Sequence, residues 1–165
     1  MRIGLSGAAA LMALALTGCG GASPGAHGGA DACAMIAKPA SLFGPGAESA
    51  PGASLEAIAG SCSWRSADGR RGGDLIVFTA QSLGGVTPAA QVAQLSHAWD
   101  AMTETPLAPI AGLGDEAQIA TDLPGYQTQI VWRKGDKVAA VLAWSGDPAI
   151  TGETLARHMA QAAAL

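Results

Sequence analysis

Three cysteines, three histidines and one adjacent pair of carboxylates carry most of the chemistry this 165-residue sequence could offer. Cys33 and Cys62 stand far apart without a nearby histidine partner inside the folded segment, a poor zinc signature. Gly21-Ala22-Ser23-Pro24-Gly25 spells the nucleophile elbow, but that turn works only between a strand and a helix. No strand pattern precedes it and Pro24 follows the serine, so the match is in letters alone. Gly112-Leu113-Gly114-Asp115-Glu116-Ala117 likewise spells a dinucleotide-binding turn. That chemistry needs a helix opening within the motif, so that its N-terminus meets a pyrophosphate. Pro124-Gly125 arrives too soon to leave room for one. Asp115 and Glu116 read as neighbours on opposite faces of a strand, a poor geometry for two-carboxylate hydrolysis. Arg70 and Arg71 read as a solubilising hairpin tip. His27, His97 and His158 read as solvated or boundary residues. No catalytic residue, cofactor or metal is expected.

The elements that position these residues begin with an export signal. Arg2 supplies a positive start, and Ala8 to Leu16 form a compact apolar run. Such a run suits a signal core of roughly 7–15 residues, whereas a spanning helix needs about 20. Leu16-Thr17-Gly18-Cys19 resembles the lipobox of bacterial lipoproteins. The resemblance implies cleavage before Cys19, a diacylglyceryl group on its sulfur and acylation of the new N-terminus. Two or more acyl chains make such an anchor stable, whereas one holds only marginally. Residues 1–18 are therefore expected to be a signal peptide, and 19–30 a lipidated cysteine with a flexible Gly/Ala/Ser tether. Gly20 is not the aspartate associated with inner-membrane retention, so the outer membrane is expected where there are two.

With Cys19 lipidated, Cys33 and Cys62 remain as an even pair. An exported chain meets an oxidising compartment, so a disulfide between them follows. The formal charge of −4 becomes about −5 without Arg2. That balance offers no footprint for nucleic acid and no basic run for an anionic membrane surface.

Residues 31–165 read as one domain. Asp31 caps a short helix over 32–38 that Pro39 ends, and 44–54 read as a loop. A strand over 57–66 puts Cys62 and Trp64 on one side by period-2 alternation, with Trp64 covering the disulfide. Asp68-Gly69 turns it into a second strand over 74–80. Thr87 caps a helix with Pro88 at its first position, and Val92, Leu95, Trp99 and Met102 form its apolar stripe. Residues 103–114 read as a connection. A meander follows, with strands over 116–121, 126–133 and 137–145. The last strand is apolar on both faces and so must be central or well covered. Thr151 opens the final helix, with Ile150 and Leu155 as a hydrophobic staple and Leu155, Met159 and Ala162/Ala163 as the buried stripe.

The order α-β-β-α-β-β-β-α argues an α+β fold with one mostly antiparallel sheet of about five strands and helices packed on it. Asp31-Ala32-Cys33-Ala34-Met35-Ile36, Cys62-Ser63-Trp64, the Gly112–Ala117 turn, the Lys134-Gly135 hairpin and the C-terminal helix together resemble small bacterial lipoprotein domains of unknown function. These are abundant in actinobacteria and share a paired cysteine. Related topologies are similar to PsbP/Mog1-type sandwiches and to sensor domains of some mycobacterial kinases. The family carries no established catalytic residues, so none transfer. The expected function is a lipid-anchored, non-enzymatic binding or adaptor module facing the periplasm or exterior. Its partners would be the membrane, through the lipid, and an envelope protein. The alternative is a carrier or sensor of a small apolar ligand, held between the tryptophans and the alanine-rich strands.

Overall fold

The computed structural model describes residues 31–52, 58–124, 127–163 and 165. The expected signal peptide, Cys19, the tether with its Gly21–Gly25 motif, and His27 lie outside the described residues. Among the described residues, seven strands form one antiparallel sheet in the order β1-β2-β3-β7-β6-β5-β4. They are β1 (Glu48–Pro51), β2 (Gly60–Arg65), β3 (Arg71–Thr79), β4 (Ala108–Pro109), β5 (Glu116–Leu123), β6 (Gln127–Lys134) and β7 (Lys137–Ser145). The helices are α1 (Pro39–Phe43), α2 (Pro88–Asp100) and α3 (Gly152–Ala162).

The strand that is apolar on both faces, β7, lies at the centre of the sheet. It joins the N-terminal hairpin to the C-terminal meander by pairing with β3 along its whole length, from Arg71↔Ser145 to Thr79↔Lys137. The fold is α+β as expected, but the sheet has seven strands rather than five. The two additions are both edges. The four residues of β1 are all exposed, so no alternation marks it, and β4 is two residues long. Each contains a proline (Pro51, Pro109), which an edge tolerates because it needs no inward N–H at that position.

The helix expected over 32–38 is instead a run of turns. Asp31 does cap it, its Oδ1 accepting from the backbone N–H groups of Cys33 and Ala34 at 3.2 and 3.3 Å. Helix α1 then starts at Pro39, where the sequence reading ended one. Proline suits a first helical position because its missing N–H would go unpaired there anyway. Thr87 and Thr151 cap α2 and α3 as expected, accepting from the N–H groups of Ala90 and Thr154. Met102 is a correction. Helix α2 ends at Asp100, so Met102 lies beyond the stripe and is 50% exposed.

Two apolar layers flank the sheet. On one face Cys62, Trp64, Leu75, Ile130, Trp132 and Val141 meet Phe43 of α1 and Leu155, Ala156, Met159 and Ala160 of α3. The small residues of α3 let it approach closely, and a methyl on Gly73 would run into Met159. On the other face Val92 and Trp99 of α2 pack with Ala120, Leu123, Val131, Val138 and Ala140. A register shift between Ala120 and Leu123, with Asp122 at φ 58°, makes this layer possible. The irregularity puts two residues that strict alternation would separate under the same helix. Thr103 Oγ1 donates to the Thr121 carbonyl at 2.8 Å and holds the shifted segment in place.

Candidate functional site

Helix α2 covers β5, β6 and part of β7. Among the described residues no helix covers the same face over β2, β3 and the far half of β7, and a groove of about 420 Å³ lies there. Its apolar surface comes from Ile76, Phe78, Ala140 and Leu142 of the sheet and from Leu95 and Trp99 of α2. Its polar surface is Ser61, Ser63, Asp74 and Gln129. A groove of this size falls within the 300–1,000 Å³ or so typical of small-molecule sites, with the usual few polar groups on an apolar lining.

Strand register builds the polar side. Ser61, Ser63 and Arg65 occupy the face of β2 opposite Cys62 and Trp64. Ser63 pairs with Asp74, and Asp74 in turn with Leu142. The Ser63 hydroxyl donates to Asp74 Oδ1 at 2.5 Å, and Arg65 Nη1 lies 3.7 Å from the same oxygen. Arg65 also donates to the Trp64 carbonyl at 2.8 Å and stacks 4.1 Å from the Trp144 ring centroid. Among the described residues no histidine bonds the Ser63 hydroxyl, whose proton goes to Asp74, so the Ser–His pairing of hydrolases is not formed here. What this cluster offers is a hydrogen-bonding wall.

On the opposite face the structure places a disulfide between Cys33 and Cys62, with Cα atoms 5.0 Å apart. Trp64 lies in the same buried layer as Cys62 and stacks on Phe43, ring centroids 6.3 Å apart. The disulfide fastens the turns over 31–37 to the sheet and leaves neither sulfur free for chemistry.

The other residues singled out from sequence are scattered. His97 is exposed on α2 and His158 is exposed on α3, across the sheet from it. Asp115 and Glu116 do not diverge as expected. Asp115 precedes β5, so strand alternation does not govern it. Both carboxylates converge on Arg133, at 3.4 and 3.0 Å, and Asp115 also accepts from the Gly135 N–H at 2.8 Å. The Gly112–Ala117 turn leads into strand β5, with Gly112 and Gly114 at φ 78° and 64°. Arg71 is a correction too. It is not a free solubilising tip, because it donates to the Leu42 carbonyl at 3.0 Å and pairs with Asp147 at 3.5 Å. Among the described residues, no group of three His, Cys, Asp or Glu could hold a metal, and no helix is long and apolar enough to cross a membrane.

No protein-family model, curated protein or solved structure matches this chain.

Sequence reasoning raised a cavity between the tryptophans and the alanine-rich strands, and Trp99 and Ala140 line this groove, but it missed the polar wall. Alternation in β2 already set Ser61, Ser63 and Arg65 opposite the disulfide, and that was the available signal. The β2–β3 hairpin sets Asp74 beside Ser63, and what brings Leu142 and Gln129 there is the non-sequential β3–β7 pairing, which leaves no local mark.

Proposed function

We propose that this chain is an extracytoplasmic lipoprotein, anchored through lipid on Cys19, whose α+β domain is a non-enzymatic binding module. The observation that carries this reading is the half-open sheet face beside α2, where apolar and polar side chains line one groove. The Cys33–Cys62 disulfide supports an oxidising compartment. The α+β order and the paired cysteine are in keeping with kinship to small lipoprotein domains of the envelope. Where two membranes are present, the outer one is the proposed anchor site.

A second reading, a carrier or sensor of a small apolar ligand, is favoured by the volume and lining of the same groove. It differs in its partner: a small molecule fills the groove, whereas an envelope protein would lay a side chain or loop into it.

Two measurements test these readings. Feeding cells an alkyne-tagged fatty acid should label the wild-type chain but not Cys19→Ala. An unlabelled wild type overturns the anchor. A photo-crosslinking residue at Ser61, on the groove wall, should capture an envelope component in intact cells, and the same residue at His158 should not. Capture from His158 alone would move the binding surface to the other face.

A further inference from the structure

We propose that the groove beside α2 binds an amphiphile whose head donates hydrogen bonds, through an amine or a hydroxyl, to Asp74 and Gln129. Its apolar body would lie against Ile76, Phe78 and Leu95. This rests on the ligand-binding reading of the groove and adds the chemistry of the head.

Asp74 interrupts an apolar strand. Leu75, Ile76, Val77 and Phe78 follow it in β3, and its own side chain is 28% exposed. An ionised carboxylate can accept about four hydrogen bonds. Both the Ser63 hydroxyl and the nearby Arg65 guanidinium address Oδ1. Among the described residues no donor engages Oδ2, so acceptor capacity remains on a side chain that lines the groove.

Gln129 and Ser61 line the same groove and make no side-chain hydrogen bond among the described residues. Gln129 is aligned with Asp74 through Leu142, because Asp74 pairs with Leu142 and Leu142 with Gln129. Two strand spacings of about 4.8 Å separate them, so they stand roughly 10 Å apart across an apolar step. A head with a donor at Asp74 and a second polar group near Gln129 would bridge Leu142.

The sign of the charge selects against a carboxylate head. Arg65 is the nearest cation, and it is already held by the Trp64 carbonyl and the Trp144 ring. Among the described residues, no other cation stands near Asp74 to offset an anionic head. Beyond Leu142 the lining turns apolar, with Ala140, Ile76 and Phe78 below and Leu95 and Trp99 beside, which suits a hydrocarbon body.

The test uses residues 19–165 carrying Cys19→Ala and exported behind a non-lipoprotein signal, so that no lipid or signal segment is present and no detergent competes for the groove. Tryptophan fluorescence, to which Trp99 at the groove wall contributes alongside Trp64, Trp132 and Trp144, is titrated with four probes below their micelle concentrations, and Trp99→Phe identifies its share of the signal. Decylamine and decyl glucoside carry donors. Decyltrimethylammonium has the same charge as the amine but no donor, and decanoate is anionic. At least one donor probe should bind roughly tenfold or more tightly than either control, the size expected of a hydrogen bond to a charged group. The stronger of the two donors tells amine from hydroxyl. Asp74→Asn should remove that preference, while Leu95→Ala should weaken every probe alike. Equal binding of all four probes overturns the head assignment and leaves the ligand-binding reading standing. If no probe binds, both fall. Donor-selective binding that neither variant alters places the site elsewhere and overturns the inference.

Discussion

The indole of Trp144 occupies the space that a side chain on its register partner Gly72 would fill. Glycine is required here for room, not for a special backbone angle. With no Cβ on β3, the ring of β7 leans over the gap, and Arg65 from β2 stacks on it at 4.1 Å. Three strands are thereby tied together at the open end of the groove. Gly72→Ala should displace the ring and release Arg65. The expected cost is about 1–3 kcal/mol, typical of overpacking. Urea unfolding with tryptophan fluorescence measures it, and an unchanged midpoint and spectrum would remove Trp144 from its assigned place.

The disulfide acts on a different part of the fold. Its sequence separation of 29 residues closes a loop that contains α1 and β1. In the chain-entropy model such a cross-link stabilises by about 3–4 kcal/mol, and loss of a native disulfide commonly costs about 2–5. The double variant Cys33→Ser/Cys62→Ser should lose stability in that range, seen as a lower unfolding midpoint. It should also free the turns over 31–37, so limited proteolysis near Lys38 should speed up. Thiol titration of unfolded, unreduced protein should find neither Cys33 nor Cys62 reactive. Two reactive thiols there would sink the pairing.

Arg71 is the place where a hairpin tip becomes a structural tie. Its guanidinium links the Leu42 carbonyl in α1 to Asp147 in the β7–α3 connection, and both charged side chains are about four-fifths buried. Arg71→Ala strands Asp147 without its cation and Leu42 without its donor. A loss of about 1–3 kcal/mol is expected, the scale for hydrogen bonds to charged groups. Arg71→Lys should recover only part, because one ammonium cannot reproduce the forked geometry. The neighbouring Arg70 is exposed and donates one hydrogen bond, to the Gly146 carbonyl at 3.1 Å, so Arg70→Ala should cost less, about 0.5 kcal/mol. Chemical denaturation of the three variants side by side decides it, and equal effects of Arg70→Ala and Arg71→Ala would refute the distinction.

These cases show what the sequence made legible. Period-2 alternation found the shared face of Cys62 and Trp64 and the central position of β7, because burial on one or both faces writes itself into the residue types. Thr87 and Thr151 announced their helices because a cap is a local hydrogen bond between near neighbours. The edges β1 and β4 were illegible because exposed strands need no apolar pattern. The Arg71–Asp147 tie, the Trp144–Gly72 contact and the groove all depend on strands and loops distant in sequence. Nothing local distinguishes Gly72 from the ordinary turn glycine at 69, yet one makes space and the other takes a positive φ of 68°.

One titrating group in the β2–β3 turn gives a prediction with a definite sign. Asp68 is held below the ordinary carboxylate value of 3.8, chiefly by the Ser66 hydroxyl donating at 2.6 Å and then by the Arg70 backbone N–H at 3.0 Å. A carboxylate whose folded pKa is depressed contributes stability above its unfolded pKa and loses that contribution as pH falls through the folded value. The window therefore lies at and below 3.8. Asp68→Asn should flatten this part of the acid limb and leave the neutral region's slope unchanged. The effect is small, because Asp68 is fully exposed and solvent screens it. Carbon-13 NMR of the side-chain carboxyl reads the titration directly. In Ser66→Ala, Asp68 should titrate nearer its ordinary value, because the hydroxyl that chiefly stabilises its charge is gone. An unmoved midpoint in that variant would show that the serine does not set the turn's charge.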